Sequence, residues 1–326
     1  MDWSKGVFLM AAGGRLSHAA GCLAEGLSGL GVPVFSDATA VSQFGPRGFA
    51  PELLAALGRP PPRALAALVI DVSFGGGQVS LPDVEAEAMA FLSMGDAANF
   101  QRPPDDVPLF AAHDTAFAAK GRTRIPIGFG LSGSMVRDID AATPAGHRRI
   151  AALRNFTPSL SQGVRDLLDV AFVPALARRI AVDAARREPA DYYAALSGTA
   201  LSLAYGGFFA PDIRENLYMR ETDPAGYAQA AMDRCDVPAF VARWDSWRFW
   251  ESLAAGCVTV HLDFARYGMR LPVMPKPWTH YVPLDLSNLE ASAEALMDRR
   301  GEWDAIGAAG RAWAVAHYGP EAVARR

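Results

Sequence analysis

The sequence predicts an α/β protein made of two Rossmann-like halves that face a central cleft. Three observations predict it. Short, fully apolar runs alternate with stretches of helical period, which is the pattern of a parallel sheet covered on both faces. The same alternation begins again after residue 148. A chain of 326 residues also exceeds what one ordinary core of about 100–200 residues fills.

Taken in order, residues 6–12 read as a strand, and Gly13-Gly14 turns the chain. Residues 17–30 carry apolar side chains at helical spacing, and Gly31 closes that helix. A short strand follows over 32–35, with Pro33 near its start. The run 64–72 is a continuous apolar strand ending at Asp71, before the loop Ser73-Phe74-Gly75-Gly76-Gly77. Residues 107–111 and 125–129 are two further strands, although Pro108 and Pro126 lie inside them. Residues 134–146 have no strong period and mark the boundary. The expected domains are therefore 1–140 and 141–326.

In the second half, 148–156 reads as a strand. Residues 158–187 read mainly as helix, which Pro174 should kink or divide. Residues 200–205 form a strand ending at Gly206-Gly207, and 208–240 are irregular and polar. A helix over 245–255, Gly256 and a strand over 257–262 complete the pattern. In such sheets ligands sit at the carboxyl ends of the strands.

Composition narrows the function. Hydrophobic residues make up 51% of the chain, which excludes a disordered polymer, and no fixed-period repeat indicates a solenoid or propeller. Lys+Arg number 31 against 35 Asp+Glu with no long run of one sign, so no nucleic-acid partner is expected. The N-terminal apolar run is about seven residues, too short for a signal core, and no run approaches the ~20 residues of a transmembrane span. Cys22, Cys235 and Cys257 lie far apart and read as reduced, buried thiols. The expected setting is cytoplasmic, with peripheral contact at the inner membrane face as its variant.

The segment from Arg243 to Val260 carries the most chemistry. Asp245 or Ser246 caps its helix and Gly256 ends it, so the first turn presents free N–H groups and a positive dipole end to an anion. Arg248, in that turn, suits a bidentate phosphate contact. Glu251 lies three residues on, placed to accept ribose hydroxyls. The alternative is a plain Arg248–Glu251 surface ion pair worth under about 1 kcal/mol, with Trp247, Trp250 and Leu253 as core.

This segment resembles the donor-binding signature of glycosyltransferases of the GT-B fold, in particular exostosin-like and protein O-glucosyltransferase-like (glycosyltransferase family 90-like) enzymes. Pro277-Trp278-Thr-His280-Tyr281-Val-Pro283 is similar to the Pro-Trp-x-His-Tyr-x-Pro element of the latter. Residues 153–168, with Arg154 and Arg165, look like a divergent form of their strand–loop–helix with spaced arginines. Together the three blocks span somewhat under half the chain.

The resemblance implies a sugar transfer from a nucleotide-diphosphate donor, a UDP-sugar first, to a hydroxyl of a glycan, a lipid-linked intermediate, a protein or a small molecule. It implies no cofactor beyond that co-substrate and no metal. Ser246, Arg248, Arg154 and Arg165 would hold the diphosphate, and Glu251 the ribose. The retaining pattern pairs two glutamates eight residues apart; here Arg243 precedes Glu251 by eight, which favours inversion. Asn155 stands where a glycine is usual.

The base is expected on the N-terminal side. Residues 13–27 resemble the first strand–turn–helix of GT-B enzymes, and in some inverting members a histidine at the helix start deprotonates the acceptor. His18 takes that position, and a neutral imidazole suits general-base chemistry near pH 7. Asp71 and Asp114, both at strand ends, are the alternatives, since the O-glucosyltransferase-like enzymes use an aspartate; for each, bracing the next helix is the bland reading. Asp138-Ile139-Asp140 reads as a solvated linker, and His261 with Asp263 is too few ligands for a metal. No Walker loop, Gly-x-Gly-x-x-Gly or Gly-x-Ser-x-Gly elbow is present. An epimerase or hydrolase, or a non-catalytic binding module, would share the donor half.

Overall fold

A computed structural model describes residues 1–42, 49, 53, 58–74, 80–95, 106–116, 124–144, 146–156, 163–210 and 240–326. The Gly75-Gly76-Gly77 loop, Cys235, the start of the helix expected at 158 and most of the stretch expected to be irregular lie outside these residues.

The first half comprises β1 (Val7–Ala11), β2 (Arg15–Leu16), α1 (His18–Gly29), β3 (Val34–Ser36), β4 (Ala40–Val41), β5 (Ala64–Asp71), β6 (Glu85–Ser93), β7 (Leu109–Ala111) and β8 (Arg124–Pro126). Six of these strands form a wholly parallel sheet in the order β3-β1-β5-β6-β7-β8. Val7, Ala67 and Ala88 are register partners across three strands and so share one face. Pro126 is tolerated because β8 is an edge strand, and Pro108 precedes β7, where its carbonyl accepts from the Phe91 N–H at 2.9 Å. β6 is the longest strand and is absent from the sequence expectation.

The second half holds α2 (Gly133–Ala142), β9 (Arg149–Leu153), α3 (Gly163–Ala177), β10 (Ala181–Asp183), α4 (Pro189–Ser197), β11 (Thr199–Leu203), β12 (Phe208–Ala210), β13 (Phe240–Ala242), α5 (Trp247–Ala254), β14 (Val258–Leu262), β15 (Val282–Leu284), α6 (Leu289–Asp298), α7 (Trp303–Tyr318) and α8 (Pro320–Arg325). Its parallel sheet runs β10-β9-β11-β14-β15. Two parallel α/β sheets confirm the expected fold class.

Three expectations are corrected. Residues 133–142 are not without period: they form α2, capped by Ser132, whose Oγ accepts from the Met135 N–H at 3.1 Å. Asp140 is accordingly no linker residue; it sits in α2 and pairs with Arg311 at 2.7 Å. The helix expected to run to 187 ends at Ala177, one residue short of a turn beyond Pro174, and strand β10 follows.

Aromatic rings pack between α5, α7 and the strands around them. Trp244, Phe249 and Trp250 are fully buried, Trp250 lies 4.6 Å from Tyr318, and Phe249 lies 5.4 Å from Phe264. His261 belongs to this core, its ring nitrogens facing the Leu262 and Trp244 carbonyls at 3.1 and 3.2 Å. Cys22 and Cys257 are buried free thiols, as expected.

The chain passes between the halves twice. The outward pass, residues 127–132, lies against the return, since the Leu131 N–H donates to the Tyr318 carbonyl at 2.9 Å. Helix α8 then packs on α1 so closely that a Cβ at Gly26 would stand 2.0 Å from the Pro320 carbonyl. No helix among the described residues is long and apolar enough to cross a membrane.

Candidate active site

The residues expected to bind the donor lie at the carboxyl ends of β9 and β11, around the start of α5. Ser246 is the cap: its backbone is extended and its Oγ accepts from the Arg248 N–H at 3.3 Å. Gly256 closes the helix at φ +66, a backbone shape that favours glycine. Guanidiniums hold the same end: Arg148 donates to the Ala255 carbonyl and Arg311 to the Ala254 carbonyl.

Arg248 is anchored three ways. Its Nε donates to the Asn155 carbonyl at 2.8 Å, its Nη1 meets Glu251 Oε2 at 2.6 Å, and its guanidinium lies 4.4 Å from the Tyr192 ring centroid. Glu251 is 1% exposed and also accepts from the Tyr192 hydroxyl at 3.0 Å. This corrects the expected alternative of a surface ion pair: the carboxylate is buried and the guanidinium half-buried, and burial pushes the Glu251 carboxyl up while Arg248 holds it down. Tyr192 lies in α4, an element the sequence reading left unassigned; Pro189 in its first turn was the available signal.

Arg154 and Arg165 converge on the same place. Arg154 grips Asp169 through Nε at 2.9 Å and through Nη2, and lies 4.3 Å from the Phe156 ring. Arg165 packs 4.9 Å from that ring and donates through Nε to the Tyr205 carbonyl at 3.2 Å. It makes no ion pair among the described residues. Burial, together with the charges of Arg248 and Arg154, pushes Arg165 down to about 10. A half-buried guanidinium beside two others, with no carboxylate of its own, is a place for an anion.

On the other side, His18 opens α1 and Ser17 caps it. The His18 ring is 3% exposed, 5.0 Å from Phe49 and 4.3 Å edge-on to Trp247 of α5. It bonds to the Gly130 backbone while its Nε2 is buried with no hydrogen-bond partner, and burial pushes it down to about 3. The imidazole is therefore neutral at pH 7 and keeps a lone pair.

Asp71 is the neighbour of His18 through Ser17. Its carboxylate accepts from the Ser17 N–H at 2.5 Å, the Ser73 N–H at 3.0 Å and the Ser73 hydroxyl at 2.5 Å. Burial raises it and those bonds oppose the rise. The geometry is that of a brace for the start of α1. Asp114 stands apart from both, 3.0 Å from Arg124 and 3.8 Å from Arg270.

Asp114 belongs to a seam that joins the halves. The Trp244 Nε1 and the Arg270 N–H both donate to its carbonyl, at 3.1 and 3.0 Å, and the Asp245 N–H donates to His113 Nδ1 at 3.1 Å. Asp245 is not the helix cap. Its carboxylate accepts from the Phe129 N–H at 2.9 Å and Trp250 Nε1 at 2.7 Å, and burial pushes it up to about 6. Gly128 beside it leaves room for Trp250, whose Cζ2 a Cβ would meet at 2.3 Å. His113 and Arg243, which flank this seam, hold φ of +57 and +51, strained values for residues other than glycine. Sequence patterns carry no sign of such a seam. Among the described residues, no group of three or more His, Cys, Asp or Glu is placed to hold a metal ion.

No family model and no curated protein matches the sequence. Among solved structures, the chain is similar to AviGT4, a glycosyltransferase involved in avilamycin A biosynthesis, with 14% identity and a TM-score of 0.53, covering 98% of this chain and 95% of that one. A glycosyltransferase from Rickettsia africae aligns over 99% of this chain and 97% of that one at 8% identity and a TM-score of 0.49. Acinetobacter baumannii MurG aligns over 95% of each chain at 13% identity and a TM-score of 0.38. The likeness to AviGT4 is one of fold, and that fold is GT-B.

Proposed function

We propose that this chain is a glycosyltransferase that moves a sugar from a nucleotide-diphosphate donor, a UDP-sugar first, to a hydroxyl acceptor, with inversion and without a metal. The observation that carries the reading is the meeting of Arg165, which makes no ion pair among the described residues, with Arg248 at the Ser246-capped start of α5. Both lie where the strand ends of a parallel sheet form a ligand crevice. The likeness of the 243–260 and 277–283 segments to exostosin-like and O-glucosyltransferase-like enzymes, and a GT-B fold, support the same reading.

In this reading the α5 dipole, Arg248 and Arg165 stabilise the charge that develops on the leaving diphosphate. Glu251 fixes the Arg248 guanidinium from below, and ribose reaches it only where Arg248 swings aside. Of the three base candidates His18 is preferred. Asp71 already accepts three hydrogen bonds and Asp114 is ion-paired, whereas His18 Nε2 has an unused lone pair. Trp247 covers that ring and burial holds it at about 3, too weak a base as it stands, so the reading requires the halves to part, which wets the ring and admits the acceptor.

The test is a thermal-shift panel of UDP, GDP, dTDP, CMP and ADP, each with magnesium and with EDTA, on wild type, Arg165→Ala and Arg248→Ala. A ligand at about 100 times its Kd stabilises the native state by about 2.7 kcal/mol. A nucleotide diphosphate that stabilises wild type in EDTA, but neither variant, supports the donor site; no shift from any of them sinks it. The covered His18 ring favours one second reading, a binding module without turnover. Bound nucleotide with no sugar transfer across an acceptor panel would favour that module, and donor breakdown without acceptor an epimerase or hydrolase.

A further inference from the structure

The back of the first sheet is hollow. On the face that carries α1 and α8, Ala67, Ala88 and Ala90 line a cavity of about 420 Å³, walled by Leu23, Leu27 and Val323. Alanine at the centre of a parallel sheet, where bulky branched residues are usual, is what makes the floor deep. A second, shallower cavity of about 490 Å³ adjoins it, lined by Met269, Leu271 and Met274. Ile125, Pro126 and Pro272 line both, so the two form one apolar trough across the β8 edge. Its volume is in the range of small-molecule sites.

Charge decides what it takes. Among the described residues that line them, each cavity has one charged side chain, and both are cations: Arg326 in the first and Arg270 in the second. Arg326 is engaged with the His317 carbonyl and the Tyr318 ring. Arg270 is 58% exposed, and Asp114, its 3.8 Å partner, is held more closely by Arg124 at 3.0 Å. At the open rim stand Met1, Trp3 and Met274, which are 62%, 47% and 41% exposed.

We propose that this trough binds one molecule of a single-chain anionic lipid, with its headgroup at Arg270 and its chain running past Ile125 and Pro126 onto the alanine floor. The proposal goes beyond glycosyl transfer and does not depend on it. The lipid enters as a monomer, since the trough is a cavity behind the sheet and not a flat membrane-facing surface.

The experiment is isothermal titration calorimetry of the full chain with octanoate, decanoate and dodecanoate below their micellar concentrations, with decanol and decyltrimethylammonium as controls. The expected result is one-to-one binding that tightens roughly threefold to fourfold per added methylene. Arg270→Glu should weaken the carboxylates about tenfold and leave decanol unchanged. Ala90→Phe should abolish binding of all of them. Absence of saturable binding, affinity independent of chain length, or equal affinity for the trimethylammonium would overturn the proposal. So would a dimer, seen by sedimentation, that Ala90→Phe dissolves, because a second copy would then be the occupant. If Ala90→Phe fails to fold, the chain-length series on wild type still decides.

Discussion

Trp247, from the first turn of α5, meets the His18 ring edge-on with centroids 4.3 Å apart. The two residues come from different halves of the molecule, so the environment of one reports the position of the other. His18 is held neutral by burial, at about 3 instead of 6.5. Trp247→Ala should let water reach the ring and move its titration back toward 6.5. NMR of the imidazole protons measures this; a ring still neutral at pH 5 in the variant would show that Phe49 and Gly130 alone exclude water.

The same burial sets a pH dependence of folding. Between about pH 6.5 and 3 the unfolded His18 binds a proton and the folded one does not, so its contribution to stability is present above 6.5 and is lost as pH falls. Each such proton is worth about 1.4 kcal/mol per pH unit. Asp245 acts oppositely between 3.8 and about 6, where its folded form takes up the proton first. Urea unfolding of His18→Gln should therefore show a pH slope shallower than wild type by about one proton over pH 4–6, and Asp245→Asn a steeper one.

Glu251→Ala removes the counter-charge of a guanidinium whose side chain is 30% exposed, and should cost more than the roughly 1 kcal/mol ceiling of an exposed pair and less than the roughly 3–5 kcal/mol of a fully buried one. Glu251→Gln keeps an acceptor for the Tyr192 hydroxyl and should lose less. Chemical denaturation ranks the two, and a loss below 1 kcal/mol in Glu251→Ala would mean the carboxylate is solvated.

Arg165→Met should behave in the contrary way. Its guanidinium is desolvated next to Arg248 and Arg154, so its removal should leave the melting temperature unchanged or higher. Nucleotide-diphosphate affinity should meanwhile fall about tenfold to a hundredfold. A variant that is both less stable and equally tight would mark Arg165 as a structural residue.

Asp245→Ala leaves the Phe129 N–H and the Trp250 indole N–H buried without acceptors, at about 1–3 kcal/mol each. The loss should appear in urea unfolding together with a shift of tryptophan fluorescence, since Trp250 is one of the two groups released.

How far these features were legible in the sequence follows the range of the forces behind them. β1 and β5 are apolar almost throughout, and a strand buried on both faces can be read from its own residues. α5 was legible from Ser246 and Gly256, because caps are local. β6 was missed because Glu85 and Glu87 put exposed charges on its first half, which extends beyond β7 and is covered on one side only. α2 was missed as a helix because its apolar face is three residues, Met135, Val136 and Ile139, among charges. The Arg248–Glu251 pairing could be read, but its burial could not, because Tyr192 arrives from 59 residues away. The seam at Asp114 and Asp245 likewise joins residues more than a hundred positions apart, with no spacing rule between them.

The double passage of the chain between the halves has a mechanical meaning. One tether would leave a ball joint, free to swing and twist. Two tethers fastened side by side, at Leu131 and Tyr318, make a door hinge whose pin runs between them, and the second half can then rotate but hardly slide. Helix α8 is the screw plate that fixes one leaf to α1. Cutting the chain after Tyr318 should loosen the door without removing any residue around the start of α5.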